Sequence, residues 1–194
     1  MLLRPRIYTV GHSSMTLQEF LNLLRTHEIT AIADVRSIPY SRYTPQFNTD
    51  TLSHLLRKNG IKYAFLGEEL GARPKNKDCY IGNVVSYEKL SQTAAFKKGI
   101  QRVENGCTRF NIALMCSEKD PIECHRTILV SKILEERGAE IVHICGNDEL
   151  EVHRKTMLRV MDLFKMPRGD LVNTIDDFIS LAYVKREKQI AFKK

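Results

Sequence analysis

Thr30-Ala-Ile-Ala-Asp-Val-Arg36 is apolar at successive positions and ends in charge. A strand with one wet face alternates apolar with polar residues; a run apolar on both sides fits a strand covered on both faces, as in a parallel sheet. Asn111-Ile-Ala-Leu-Met115 repeats the pattern. Working outward, segments 7–12, 30–36, 61–66, 110–116 and 140–144 read as five strands. Helical patterns lie between them. Thr16-Leu-Gln-Glu19 is a capping box ahead of Leu17, Phe20, Leu21 and Leu24 at helical spacing. Leu52, Leu55 and Leu56 form a second stripe, closed by Asn59-Gly60. Tyr87, Leu90, Phe96, Ile100 and Val103 outline a third helix. A fourth opens at Asp120-Pro121-Ile-Glu123, a capping Asp before Pro, and ends at Arg137-Gly138.

Strand and helix alternating at this rhythm mean βαβ units with right-handed crossovers. The expected fold is α/β: a doubly wound, mostly parallel five-stranded sheet with helices on both faces. Residues 1–150 are expected to form the domain that carries the site. Residues 151–194 add helices near 152–165 and 170–184 that pack on it. The segment 67–82, long and polar with three glycines and a proline, reads as a lid.

The 194 residues suit one domain, and 43% hydrophobic with 27% charged residues is ordinary for a water-facing globule. No apolar run is long enough for a bilayer, so no membrane partner is expected, and a chain entering a strand this early leaves no room for a signal peptide. The expected location is the cytoplasm. Five cysteines, an odd number without a Cys-x-x-Cys pair, argue for reduced thiols. The net charge of +7 is concentrated in residues 185–194, which hold five positive charges and one negative. That tail reads either as a frayed terminus or as a basic segment steering an anionic partner.

Ligands of open parallel sheets bind beyond the carboxyl ends of the strands. Here those ends read Gly11-His12-Ser13-Ser14, Asp34-Val35-Arg36-Ser37, Leu66-Gly67-Glu68-Glu69 and Cys116-Ser117-Glu118, the last leading to Cys124-His125-Arg126. Arg36 and Arg126 offer planar forks for phosphate or carboxylate, with His125 beside them. The stretch Arg36-Ser-Ile-Pro-Tyr40-Ser-Arg42-Tyr43 interleaves arginines with aromatics, as a site for phosphate and base requires.

These motifs together resemble the domain-of-unknown-function family numbered 488: Gly11-His12-Ser13, Asp34-Val35-Arg36 with Pro39 and Ser41, Leu70-Gly71, and Cys116-x-Glu118 followed by Cys124-His125-Arg126. The resemblance spans roughly residues 7–145 and departs at Ala72, where a second glycine is expected. It implies an α/β domain with the motifs gathered at one site, and no particular reaction.

Cofactor signatures Gly-x-Gly-x-x-Gly, the Gly-Lys-Ser/Thr phosphate loop and His-Glu-x-x-His are absent from the sequence, which removes dinucleotide oxidoreductases and ordinary ATPases. The leading expectation is binding of a phosphate-bearing small molecule, nucleotide or nucleic acid, with cleavage or transfer left open. Arg36, Arg42 and Arg126 would hold the anion, Ser13 and Ser14 would donate to it, and Tyr40 or Tyr43 would stack on a base. His12 is the acid/base candidate, with Asp34 or Glu118 orienting it or activating water. Two alternatives stand beside this one. A module with the same site and no turnover is the first. The second is thiol chemistry at Cys116, since Asp34-Val-Arg and a strand-end Cys are similar to the arrangement in rhodanese-like sulfurtransferases; Glu118, Asp120 and Glu123 oppose ionising that thiol. No metal is expected: Cys116 and Cys124 are eight residues apart, and Cys124 and His125 on one helix would point about 100° apart. The sequence leaves cofactor and oligomeric state open.

Overall fold

The computed structural model describes residues 4–146 and 148–194. The chain runs through β1 (Arg6–Gly11), α1 (Leu17–Thr26), β2 (Ala31–Asp34), α2 (Thr49–Lys58), β3 (Lys62–Phe65) and one helical turn, α3 (Gly67–Leu70). A hairpin of β4 (Tyr80–Ile81) and β5 (Val84–Val85) follows, then α4 (Tyr87–Ser91), α5 (Ala94–Cys107) and β6 (Ile112–Cys116). A 3-10 turn (Pro121–Glu123) and a π-helical segment (Arg126–Ser131) lead into α6 (Lys132–Glu136). Then come β7 (Glu140–Ile144), β8 (Leu150–Val152), α7 (His153–Leu163) and α8 (Ile175–Ile190).

The main sheet is mostly parallel, in the order β3-β2-β6-β1-β7-β8. All five expected strands pair in parallel, and β8 adds a sixth, antiparallel to β7 at the edge. Three residues, one of them a buried glutamate, gave β8 no readable pattern. Successive strand residues divide between two cores. Ile7, Ala31, Ala33, Ile112, Leu114 and Ile141 pack with α5, α7 and α8, whereas Val10, Ile32, Ala113, Met115 and Ile144 pack with α1 and α2. That division is why the strands are apolar at consecutive positions.

The α1 capping box forms: Glu19 N–H donates to Thr16 Oγ1 at 3.2 Å, and Thr16 N–H donates to Glu19 Oε2 at 2.7 Å. The third expected helix is two, because Thr93 caps a new start inside the apolar stripe. The fourth begins differently too. Asp120 accepts from Ile122 N–H at 3.1 Å, yet it caps only the 3-10 turn, and Cys124 is extended (φ −127°, ψ 142°) before the helix resumes.

The segment expected to be a lid is built into the fold, with Leu70, Cys79 and Tyr80 buried. The tail is likewise docked. Arg186 Nε donates to Ile122 O at 2.8 Å, Tyr87 N–H donates to Glu187 Oε1 at 2.7 Å, and Ala191 is buried. Val85 N–H reaches Phe192 O at 3.0 Å. These contacts tie residues 186–192 to the body of the protein, so the tail is not frayed there. Among the described residues, no helix is long and apolar enough to cross a membrane.

Candidate functional site

β2, β6 and β1 are neighbours at the middle of the sheet, so the ends that carry Asp34–Arg36, Cys116–Glu118 and Gly11–Ser13 lie side by side. Beyond those ends, His12 N–H donates to Cys116 O at 3.0 Å and Ser13 N–H to Ser117 O at 2.9 Å, zipping the two loops together. The approach requires glycine at 11. A Cβ there would stand 1.8 Å from Glu118 O. Gly71 is needed for the same reason, its missing Cβ leaving room for Gly67 O and Ser37 Oγ, whereas Ala72 beside it lines the cleft.

Both arginines expected to grip an anion are engaged by the protein itself. Arg126 is fully buried; Nη1 donates to Glu118 O at 2.7 Å, Nη2 to Lys119 O at 3.3 Å and Nε to Thr9 Oγ1 at 3.4 Å. Arg36 donates from Nε to Asp34 Oδ1 (2.9 Å) and from Nη2 to Asp34 Oδ2 (2.6 Å) and Phe47 O (2.9 Å). Asp34, also fully buried, takes a further bond from Tyr63 OH at 2.7 Å, so it anchors Arg36 and has no side open for base work.

His12 is committed in the same way. Its Nδ1–H donates to Ser13 O at 2.9 Å, which leaves the Nε2 lone pair to accept from Arg36 Nη1 at 3.1 Å, and the ring stacks on Phe47 at 4.2 Å. Burial and then the Arg36 charge bring its pKa down to about 4. Both ring nitrogens of His12 are thus engaged by the protein, and its ring holds the β1 loop against Arg36 and Phe47.

Two thiols and an imidazole converge elsewhere. Cys116 at the end of β6, Cys124 and His125 present Sγ, Sγ and Nδ1 within 4.8 Å of one another. His125 Nδ1 is 3.8 Å from each sulfur, while Nε2 lies 3.0 Å from Val35 O and donates to it. Glu118 stands at the rim with Oε2 3.0 Å from Cys124 Sγ. Arg126 N–H points at Cys124 Sγ from 3.4 Å. The sequence-based objection that Cys124 and His125 diverge by 100° fails because Cys124 precedes the helix in an extended conformation.

Electrostatics divide the two thiols. The adjoining Cys124 sulfur and burial push the Cys116 thiol well above its usual range. Burial opposes ionising Cys124, but the Cys116 thiol, the Arg126 charge and His125 outweigh it and hold Cys124 well below. Burial would lower His125, yet the Cys124 sulfur raises it, and withdrawal from water with the Cys124 charge raises Glu118.

Above this group opens a cleft of about 390 Å³ lined by Arg36, Tyr40, Arg73, Tyr87, Cys116, Glu118 and His125 among others. Arg73 is exposed and stacks over Phe192 at 4.7 Å. Ser13 and Ser14 line a different hollow with Lys119, and Arg42 and Tyr43 are exposed residues outside the cleft lining. Arg73 and Tyr87 were not read from sequence. Tyr87 looked like one more apolar member of a helical stripe, and Arg73 lay in the presumed lid.

A family model described as "Domain of unknown function DUF488" matches residues 16–133. No curated protein and no solved structure matches the chain.

Proposed function

We propose, for this chain, which belongs to the family described as domain of unknown function DUF488, a thiol-dependent sulfur transfer in which Cys116 takes up the outer sulfur of a sulfane donor. One observation carries the reading: of the two thiols packed around His125, Cys116 forms part of the cleft lining. The reading takes the sheet as doubly wound, with helices covering both faces and the carboxyl edge left for the ligand.

The donor's outer sulfur bonds to Cys116 Sγ, and the bond to its leaving group breaks with the electron pair going to that group. The Cys116 proton passes to the His125–Cys124 pair, of which His125 Nδ1 is 3.8 Å away. An acceptor thiolate then removes the sulfur and regenerates Cys116. An anionic leaving group such as sulfite suits Arg73 and the remaining N–H capacity of Arg36, both on the cleft wall. A phosphate-bearing ligand would meet fewer free donors, because Arg126 and most of Arg36 already serve protein acceptors.

Incubating the protein with thiosulfate and mapping peptides by mass tests this. A one-sulfur increment on Cys116, passed on to cyanide or a small thiol and lost in Cys116→Ser, is the expected result. An increment confined to Cys107 or Cys145, or none, refutes the reading.

A further inference from the structure

Cys116 Sγ, Cys124 Sγ and His125 Nδ1 are spaced closely enough to be ligands of one metal ion. With metal–sulfur bonds near 2.3 Å and metal–nitrogen bonds near 2.05 Å, tetrahedral edges are about 3.8 Å between sulfurs and about 3.6 Å between sulfur and nitrogen. The two sulfur–nitrogen separations here are 3.8 Å, and all three atoms lie within 4.8 Å of one another. The imidazole is already turned for the purpose. Its Nε2–H is tied to the Val35 carbonyl at 3.0 Å, the outer bond that metal-ligating histidines make, so Nδ1 faces the sulfurs.

We infer that Cys116, Cys124 and His125 form a binding site for a borderline-soft divalent ion of the zinc class, with Glu118 closing the fourth position. Glu118 Oε2, 3.0 Å from Cys124 Sγ, reaches in from the rim and gives the site a carboxylate that can yield to solvent. Charge favours such an ion. Two thiolates neutralise it, and the Glu118 carboxylate is offset by Arg126, whose guanidinium lies on the Glu118 and Lys119 carbonyls. The donor set, two sulfurs and an imidazole, selects zinc, cobalt(II) or cadmium over magnesium and calcium.

The ion would bind the sulfur that the proposed transfer uses, so metal and sulfane donor exclude each other. In that respect the inference rests on the transfer reading, with zinc as its reversible inhibitor; metal uptake itself is measured without any activity.

Full-length reduced protein, stripped with chelator, is titrated with cobalt(II) and then with zinc against a chromophoric chelator. The expected result is one ion per chain, with an intense sulfur-to-cobalt charge-transfer band. Cys116→Ser and Cys124→Ser should each weaken binding by more than the ~10–100-fold that loss of an outer-shell partner costs, and the Cys107→Ser/Cys145→Ser double variant should bind normally. Where a variant fails to fold, alkylation of the unmodified protein gives the same answer: zinc should shield Cys116 and Cys124 and leave Cys107 and Cys145 reactive. Uptake without the charge-transfer band, or shielding that spares Cys116 and Cys124, overturns the site. Zinc uptake that leaves sulfur transfer unchanged overturns the inhibition. One-to-one zinc uptake by a protein that takes no sulfur when metal-free leaves the metal site standing and removes the transfer reading.

Discussion

Acidification from pH 7 to pH 5 should destabilise this protein through its buried histidines. His12 and His153 are each about 2% exposed or less, and burial brings both pKa values down to about 4. His143 is fully buried and shifted in the same direction by burial and by His153. In the unfolded chain these rings titrate near 6.5. Between about pH 6.5 and pH 4 the unfolded state therefore binds protons that the folded state refuses, and stability falls as pH falls. For one histidine with pKa 6.5 unfolded and about 4 folded, the loss between pH 7 and pH 5 is about 2 kcal/mol. His12 and His153 together give about 4 kcal/mol and His143 adds to it, while His125, held above its usual range by the Cys124 sulfur, gains protons earlier in the folded state and offsets part of the loss. At about 2–4 °C per kcal/mol for a chain of this size, the melting temperature should drop by roughly 8–16 °C. Urea midpoints at pH 7, 6 and 5 measure the loss. His153→Gln removes one of the protons, so its own pH 7-to-5 difference should shrink by about 2 kcal/mol, whatever it costs at pH 7. Stabilities at pH 7 and 5 within about 1 kcal/mol of each other, or an unaltered slope in His153→Gln, would refute the reasoning.

Gly11→Ala places a methyl 1.8 Å from Glu118 O and should cost about 3 kcal/mol or more in thermal or urea unfolding; an ordinary surface-like effect below about 0.5 kcal/mol would contradict the close approach. Arg126→Lys keeps the charge and loses the fork that holds two carbonyls, and should cost about 3 kcal/mol of stability at equal affinity for added phosphate. A selective loss of phosphate binding without loss of stability would return Arg126 to the ligand. Removing residues 185–194 breaks the bonds of Arg186, Glu187 and Phe192 to the body of the protein and should lower stability by about 3 kcal/mol, from roughly 1 kcal/mol per lost hydrogen bond. Full stability in the shortened chain would restore the basic tail as a free segment.

The sheet was legible because burial on two faces writes itself into consecutive residues: Thr30-Ala-Ile-Ala-Asp-Val could be nothing but covered on both sides. Caps were legible where one side chain decides them, as at Thr16 and Asp120, but the type of helix behind Asp120 was not. A capping Asp before Pro is compatible with a 3-10 turn as well as an α-helix, and the difference turned Cys124 and His125 toward each other. The gathering of motif residues at one edge followed from parallel topology. The division of labour among them did not. Whether an arginine fork serves a ligand or a neighbouring carbonyl depends on loop paths of 118–119 and 44–47 that no periodicity records.

That division can be reasoned from burial. A guanidinium at a solvated loop tip is available to an anion, but one drawn to full burial must have every donor satisfied by the fold before any ligand arrives. Arg126 gives each of its side-chain nitrogens a partner in the carbonyls of Glu118 and Lys119 and the Thr9 hydroxyl, and in doing so fixes the loop between Cys116 and Asp120. The Glu118 side chain is thereby directed onto Cys124, whose sulfur also receives the Arg126 N–H, while the Arg126 charge favours the thiolate. Asp34 and Arg36 do the same from β2, their bonds to Phe47, Tyr63 and His12 fixing the strand end next to Val35, whose carbonyl orients His125. In Cys124-His125-Arg126 the first two residues accordingly join the cluster around Cys116, and the third builds the wall that holds them there.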